Sequence, residues 1–258
     1  MNIRRLFLKL TEYTIPNRME YTLKKFFPKE IQEDGCGNYY IKIGESRTIF
    51  TCHMDTSCHK YEKVNHVFDG EFIKTDGKTV LSGDDKNGMA ILLYMINQKV
   101  PGLYYFFQGE ESGMIGSSCI ISKNKGFFKD YDRMISFDRR AYHSVITKQI
   151  GAYCCSDEFA LELSNRLNEH GFNYKPDPTG IYTDSASFIG IIPECTNLSV
   201  GYFNEHSTRE STNIKFLVSL AKTACKIDWE TLPVGEIKKE YGYYNFDEDD
   251  EYNNYFYM

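Results

Sequence analysis

Residues 82–113 decide how this chain is read. They run Ser82-Gly83-Asp84-Asp85-Lys86-Asn87-Gly88, then a stretch with Met89, Ala90, Leu92, Leu93, Met95 and Ile96 on one stripe, then the wholly apolar 103–107, then Gly109-Glu110-Glu111-Ser112-Gly113. The stripe has the period of a helix burying one face, so 86–98 is predicted as a helix. The run 103–107 does not alternate, which predicts a strand covered on both faces. Paired carboxylates therefore stand at the start of a helix and at the end of a buried strand.

Working outward, the same alternation continues. Strands are predicted at 39–43, 48–52, 134–137, 144–147 and 198–202. A hairpin is predicted from 71–75 and 79–81 around Asp76-Gly77. Helices are predicted at 3–13, at 18–27 with Asn17 as its cap, at 115–122, at 157–170 stopped by Gly171, and at 214–226. Strands alternating with helices imply an α/β fold with a largely parallel or mixed sheet covered on both faces. In such sheets function gathers beyond the carboxyl ends of the strands. Residues 1–235 are expected to form a single catalytic domain. Residues 236–258 form an acidic, Tyr-rich tail around Asp247-Glu248-Asp249-Asp250-Glu251, without helical or strand period.

Composition narrows the classes. A net charge of −6, with Lys and Arg scattered, gives no footprint for nucleic acid. No run approaches a membrane span, and the apolar start is broken by Lys9, too short for a signal segment. The eight cysteines form no Cys-x-x-Cys pair and several, such as Cys195 and Cys225, lie in apolar runs, so reduced structural thiols in a cytoplasmic protein are expected rather than disulfides or cysteine metal ligands.

Five polar islands end β-prone runs: His53-Met54-Asp55, 82–88, 109–113, Phe137-Asp138-Arg139 and Glu205-His206-Ser207. Each has a plain reading by itself. His53-x-Asp55 serves as an ordinary loop, Asp84 and Asp85 as helix-capping acids, Glu110 and Glu111 as a charged turn, and Asp138 as an arginine partner. Together they offer two imidazoles and several carboxylates, an inventory that can hold two cations and activate water. Along an extended segment His53 and Asp55 point the same way, so the carboxylate can orient the ring. Glu110 and Glu111 point oppositely and so take different roles. Asp184 is a pocket or supporting position, or a helix cap. His59, His66, His143 and His170 read as surface or packing residues.

In this order the islands resemble those of the co-catalytic dizinc exopeptidases, the clan of peptidase T, the bacterial leucine aminopeptidases and the tetrahedral glutamyl aminopeptidases. Ser82–Gly88 resembles the bridging-aspartate motif of the peptidase T type, and His206-Ser207-Thr208-Arg209-Glu210 the final-histidine motif. The resemblance spans roughly residues 5–228. It implies a three-layer α/β/α sandwich with a mostly parallel mixed sheet. It further implies that His53 and Asp138 hold one zinc, Glu111 and His206 the other, and that Asp84 bridges them. Asp55 would orient His53, Glu110 would be the general base, and the Asp84–Asp85 peptide would be cis.

The intervals in which relatives insert a lid domain are short here, so dimerisation through a lid is not expected, although another surface could serve. The activity expected is zinc aminopeptidase action on short peptides, with cobalt or manganese as possible substitutes. The alternatives are an N-acyl amino acid deacylase or carboxypeptidase of the same clan, in which Arg139, Arg140 or Arg209 binds a substrate carboxylate, and a non-catalytic binding protein on this fold.

Overall fold

A computed structural model of the chain describes residues 1–236. The acidic tail lies almost wholly outside the described residues. In chain order the strands are β1 (Gln32–Glu33), β2 (Tyr39–Ile43), β3 (Thr48–His53), β4 (His66–Asp69), β5 (Phe72–Thr75), β6 (Gly102–Phe107), β7 (Arg133–Arg139), β8 (Ser144–Ile146), β9 (Lys148–Gln149), β10 (Ala152–Tyr153), β11 (Lys175–Asp177), β12 (Glu194–Ser199), β13 (Tyr202–Phe203) and β14 (Ser211–Asn213). The α-helices are α1 (Ile3–Leu10), α2 (Gly83–Asn97), α3 (Ile115–Asn124), α4 (Asp157–Asn168) and α5 (Ile214–Ala224).

Eight strands form the main sheet in the order β1-β2-β6-β3-β7-β12-β8-β11. Its centre, β6-β3-β7-β12, is parallel, and antiparallel pairs flank it. Every residue of β3, β6 and β12 is buried, as a strand covered on both faces requires. Helices α1, α2 and α5 pack together, with α2 against β3 and β7. Across the sheet, α3 packs on the 3-10 turn Asp184–Phe188, which touches β3, β7 and β12. The expected α/β sandwich, mixed and mostly parallel at its centre, is the fold observed. A smaller sheet, β13-β14-β5-β4, carries the segment before and after His206. No helix of the described residues is long and apolar enough to cross a membrane.

Aromatic residues fill the centre. Phe50 packs against Tyr104, Phe137 and Trp229, with ring centroids 5.2, 6.3 and 5.1 Å away. The Trp229 indole donates to Ala224 O at 2.8 Å, which satisfies its polar edge.

Several sequence expectations need correction. Residues 20–26 form a 3-10 helix capped by no side chain: the expected cap, Asn17, has its Oδ1 buried with no hydrogen-bond partner among the described residues, and Glu20 turns inward to accept the Gly109 N–H at 3.2 Å. The hairpin is β4–β5, turning at Gly70-Glu71, where Gly70 has φ +59°. Residues 79–81 are not its second strand, because the Leu81 and Ser82 N–H groups are taken by the buried carboxylate of Glu210. The strand expected at 198–202 is instead β12 followed by the separate β13, broken at Gly201 with φ +88°. Finally, Cys36 and Cys119 are joined by a disulfide, while the other six cysteines are free. The two lie 83 residues apart, so no spacing motif announces the pair.

Candidate metal centre

All seven site candidates meet beyond the carboxyl ends of the central strands. His53 is the last residue of β3, and Asp138 lies near the end of β7. Glu110 and Glu111 follow β6, Asp84 stands at the broken start of α2, and His206 follows β13. The Asp84–Asp85 peptide is cis, as the resemblance implies, and both residues leave helical φ and ψ.

Asp84 sits between the two imidazoles. Its Oδ1 lies 2.9 Å from His53 Nε2, and its Oδ2 lies 3.2 Å from His206 Nε2. On the His53 side, Asp138 Oδ1 is 3.5 Å from the same Nε2. On the other side, Glu111 Oε1 is 2.9 Å from His206 Nε2. Asp55 Oδ1 stands 3.3 Å from His53 Nδ1, as the same-side geometry predicts. The Asp55 carboxylate also accepts the Glu110 and Glu111 N–H groups at 3.0 and 3.2 Å, joining the two islands.

These residues fit divalent cations on three counts. Glu111 Oε1 is buried and has no hydrogen-bond partner among the described residues, although His206 Nε2 is close. Two donors serving one cation stand near each other in this way without a proton aligned between them. The ligand atoms of His53, Asp84 and Glu111 lie within 4.8 Å of one another, as do those of His53, Asp85 and Asp138. Third, the donor set is imidazole and carboxylate, which suits zinc, cobalt or manganese. Asp85 is spoken for within the second group, since it accepts the Gly88 and His53 N–H groups at 2.9 and 3.3 Å.

The electrostatics point the same way. Burial pushes Glu110 up to about 10, the charges of Asp138, Asp184 and Asp84 adding to it and His53 opposing. Burial likewise pushes Asp138 up to about 6 and Asp184 up to about 8. Burial also acts to raise Asp84, but hydrogen bonds to His206 and His53 outweigh it and hold the carboxyl below its usual range. Contacts with Asp84 and Glu111 push His206 up to about 11. Carboxylates this crowded lack positive charge, and bound cations would supply it.

Several residues support the site, most of them in roles the sequence does not announce. Glu210 is buried and accepts three N–H groups, from Leu81, Ser82 and Asp84, at 2.8–2.9 Å. It therefore fixes the turn that presents Asp84. Thr183 donates to Asp138 Oδ2 at 2.7 Å, and Tyr202 donates to Asp138 O at 2.9 Å. The fully buried Lys86 donates to Met54 O and Asp55 O at 2.5 and 3.1 Å, which holds the 53–56 segment. Asp184 opens its 3-10 turn without capping it, and its Oδ1 has no partner among the described residues. Gly88 is needed for close approach: a Cβ there would stand 2.2 Å from Phe137 O. Gly83 is needed likewise, its Cβ falling 2.6 Å from Thr212 Oγ1. The left-handed residue of this turn is Ser82, with φ +68°.

A cleft opens onto the centre. Asp84, Glu110, Asp138 and His206 line its floor, and Arg139, Arg140, Ile146, Gln149, Ile181 and Tyr182 line its walls. Ile181 and Tyr182 are 67% and 61% exposed, an apolar lip at the mouth.

The fold and this cluster of histidines and carboxylates describe an α/β sandwich with a candidate two-cation centre at its strand ends. The solved structures it resembles include aminopeptidase PepT of Bacillus cereus, with a TM-score of 0.72 and 16% identity, over 87% of this chain and 97% of that one. A tripeptidase of Staphylococcus aureus gives 0.70 and 17%, over 87% and 96%. The TET1 peptidase of Pyrococcus horikoshii, which can assemble into a tetrahedron or a large octahedral shell, gives 0.62 and 14%, over 87% and 98%. At these identities the likeness is one of fold. In sequence, the chain is 32% identical over 118 residues to the uncharacterized protein YqjE of Bacillus subtilis. That match takes in 40% of this chain and spans about a third (32%) of the relative's length. No protein-family model matches the chain.

Proposed function

We propose that the chain is a dinuclear metal aminopeptidase that removes residues from the amino ends of short peptides. The observation that carries this reading is Asp84, whose two carboxylate oxygens face two different imidazoles at 2.9 and 3.2 Å. His53 and Asp138 would hold one zinc, Glu111 and His206 the other, and Asp84 both. When bound, the cations supply Lewis acidity, polarising a peptide carbonyl and making water acidic enough to react.

The protein's own groups do the rest. Glu110 lines the cleft and is half-buried, and it acts as the general base with bound cations offsetting the desolvation and carboxylate charge that otherwise keep it protonated: it takes the proton of the attacking water and returns it to the leaving amine. Asp55 keeps the His53 ring and the 110–111 backbone in register. The surplus of carboxylates also favours a substrate bearing a free ammonium group over an N-acylated one.

We place the protein in the cytoplasm as a catalytic domain without a lid, a location that its six free cysteines support. The Cys36–Cys119 bond is unusual for that compartment, and thiol counting on freshly lysed cells decides the point. The functional test is elemental analysis of the purified chain together with turnover of aminoacyl and N-acyl substrates. About two zinc, cobalt or manganese ions per chain with aminoacyl cleavage supports the reading. Cleavage of N-acyl substrates alone transfers it to a deacylase, and a chain that stays inert after zinc, cobalt or manganese is added sinks it.

A further inference from the structure

Four consecutive N–H groups run through the turn that leaves β6, and each is taken by a side chain from outside it. Gln108 N donates to Asn38 Oδ1 at 3.1 Å and Gly109 N to Glu20 Oε1 at 3.2 Å. Glu110 N and Glu111 N donate to Asp55 Oδ1 and Oδ2 at 3.0 and 3.2 Å. The carbonyls of the turn are used within it: Glu110 O accepts Gly113 N and Met114 N at 2.9 Å, and Gly109 O accepts Ile115 N at 3.0 Å. Gly109 itself stands at φ +65°, where a Cβ would press on Ile115 at 3.1 Å. The turn is closed on its acceptor side, and its row of donors ties it to three distant segments.

Two of the three outside acceptors have other duties. Asn38 donates to Asp34 Oδ2 and Gly116 O, and Asp55 faces the His53 ring. Glu20, apart from its own N–H, serves only Gly109, 89 positions further along the chain. Its side chain is 4% exposed and enters no ion pair among the described residues. Burial raises its carboxyl above the usual range, Asp55 adding to the rise, while its own N–H, that of Gly109 and the Lys86 ammonium oppose it. A charged acceptor costs more to bury than a neutral one and binds an N–H roughly twice as strongly. Here that strength is applied to the residue beside Glu110.

We propose that Glu20 is a positioning residue of the metal centre: its bond to Gly109 sets the turn that presents Glu110 and Glu111. The inference takes the roles of those two side chains from the aminopeptidase reading, while the hold on the turn stands on geometry alone. Glu20 acts through the backbone, and a misplacement of about 1 Å at a reacting group can cost 10²-fold in rate.

The experiment compares wild type with Glu20→Ala, Glu20→Asp and Glu20→Gln, with Glu194→Ala as the control. Glu194 is likewise buried and accepts N–H groups, from Ser156 and Gly235, at the other ends of the strands. Amide exchange followed by NMR on the metal-free proteins needs neither metal nor turnover. Glu20→Ala, and Glu20→Asp with its carboxylate one methylene short, are expected to speed exchange at Gly109, Glu110 and Glu111 by about tenfold or more. Glu20→Gln keeps an acceptor and restores part of the protection. In the metal-loaded proteins kcat for trialanine is expected to fall about 10–100-fold with KM nearly unchanged, and cobalt affinity about tenfold, Glu20→Gln again recovering part. Glu194→Ala, compared at equal folded fraction, moves none of these. If Glu20→Ala does not fold, the Asp and Gln variants carry the comparison. Faster exchange at Gly109 alone, with Glu110 and Glu111 protected as in wild type, overturns the proposal, because the bond then serves only the amide it touches. So do folded Glu20 variants that keep wild-type kcat and cobalt affinity, which would leave the aminopeptidase reading standing. If wild type itself cleaves no peptide, that reading fails, and the exchange pattern still decides for or against Glu20.

Discussion

At the amino-terminal ends of the central strands, Glu194 is fully buried and accepts from Ser156 N, Ser156 Oγ and Gly235 N, all within 2.8 Å. Nearby, Arg133 donates to Glu230 O and Leu232 O, and Arg47 forks onto both oxygens of Asp132 at 2.7 Å. At the carboxyl ends of the same strands, Glu111 Oε1 and Asp184 Oδ1 are buried with no hydrogen-bond partner among the described residues. Burial is similar and satisfaction is not. One end consumes its polar capacity within the fold, apart from one Arg133 nitrogen, and the other keeps capacity for something that arrives. Substitutions at the first end should therefore act on stability, and those at the second on metal content and rate.

The sharpest test of that division is Asp84→Asn, expected to lose most bound metal and with it all measurable turnover, read by elemental analysis beside a peptide assay. It should also abolish the rise in Tm that zinc gives the wild type, a rise worth about 2.7 kcal/mol at a hundredfold excess over Kd. Next comes Glu110→Gln, expected to keep its metals and lose turnover by roughly 10²–10⁴-fold. Wild-type rates in that variant would remove Glu110 from the mechanism. Glu210→Gln should weaken metal binding by about 10–100-fold, since an amide turns a donor toward three N–H groups. A competition titration with a chelator measures it. The smallest effect falls at the other end. Glu194→Ala should cost about 1–3 kcal/mol in denaturant unfolding while the folded fraction keeps its kcat/KM. A loss of kcat/KM there would break the comparison.

Legibility in the sequence follows the range of the interactions. The strands and helices around the site were legible because periodicity is local, and the five islands because each sits at the end of an apolar run. Asp55 beside His53 was legible from the two-residue repeat of a strand. Glu210 was not, because its carboxylate serves N–H groups 126–129 positions away and no pattern in the chain marks that pairing. The same holds for Cys36–Cys119 and for Lys86, which looks like any helix lysine until its ammonium is found buried against Met54 O and Asp55 O. Residues 79–81 misled for a related reason. Their β-prone composition is real, but a distant side chain occupies the N–H groups a strand would use.

Asp55 spreads one side chain over three functions, with Oδ1 facing the His53 ring and the Glu110 N–H and Oδ2 taking the Glu111 N–H. Defects that are normally separable are therefore tied at this position. A lesion here displaces a proposed metal-ligating imidazole, the proposed base and a proposed metal-ligating carboxylate in a single step. Its effects should be strongly epistatic: once Asp55 is altered, removing Glu110 or His53 costs far less than it does alone. In evolutionary terms the position has no gradual exit, since any replacement must restore three geometries at once.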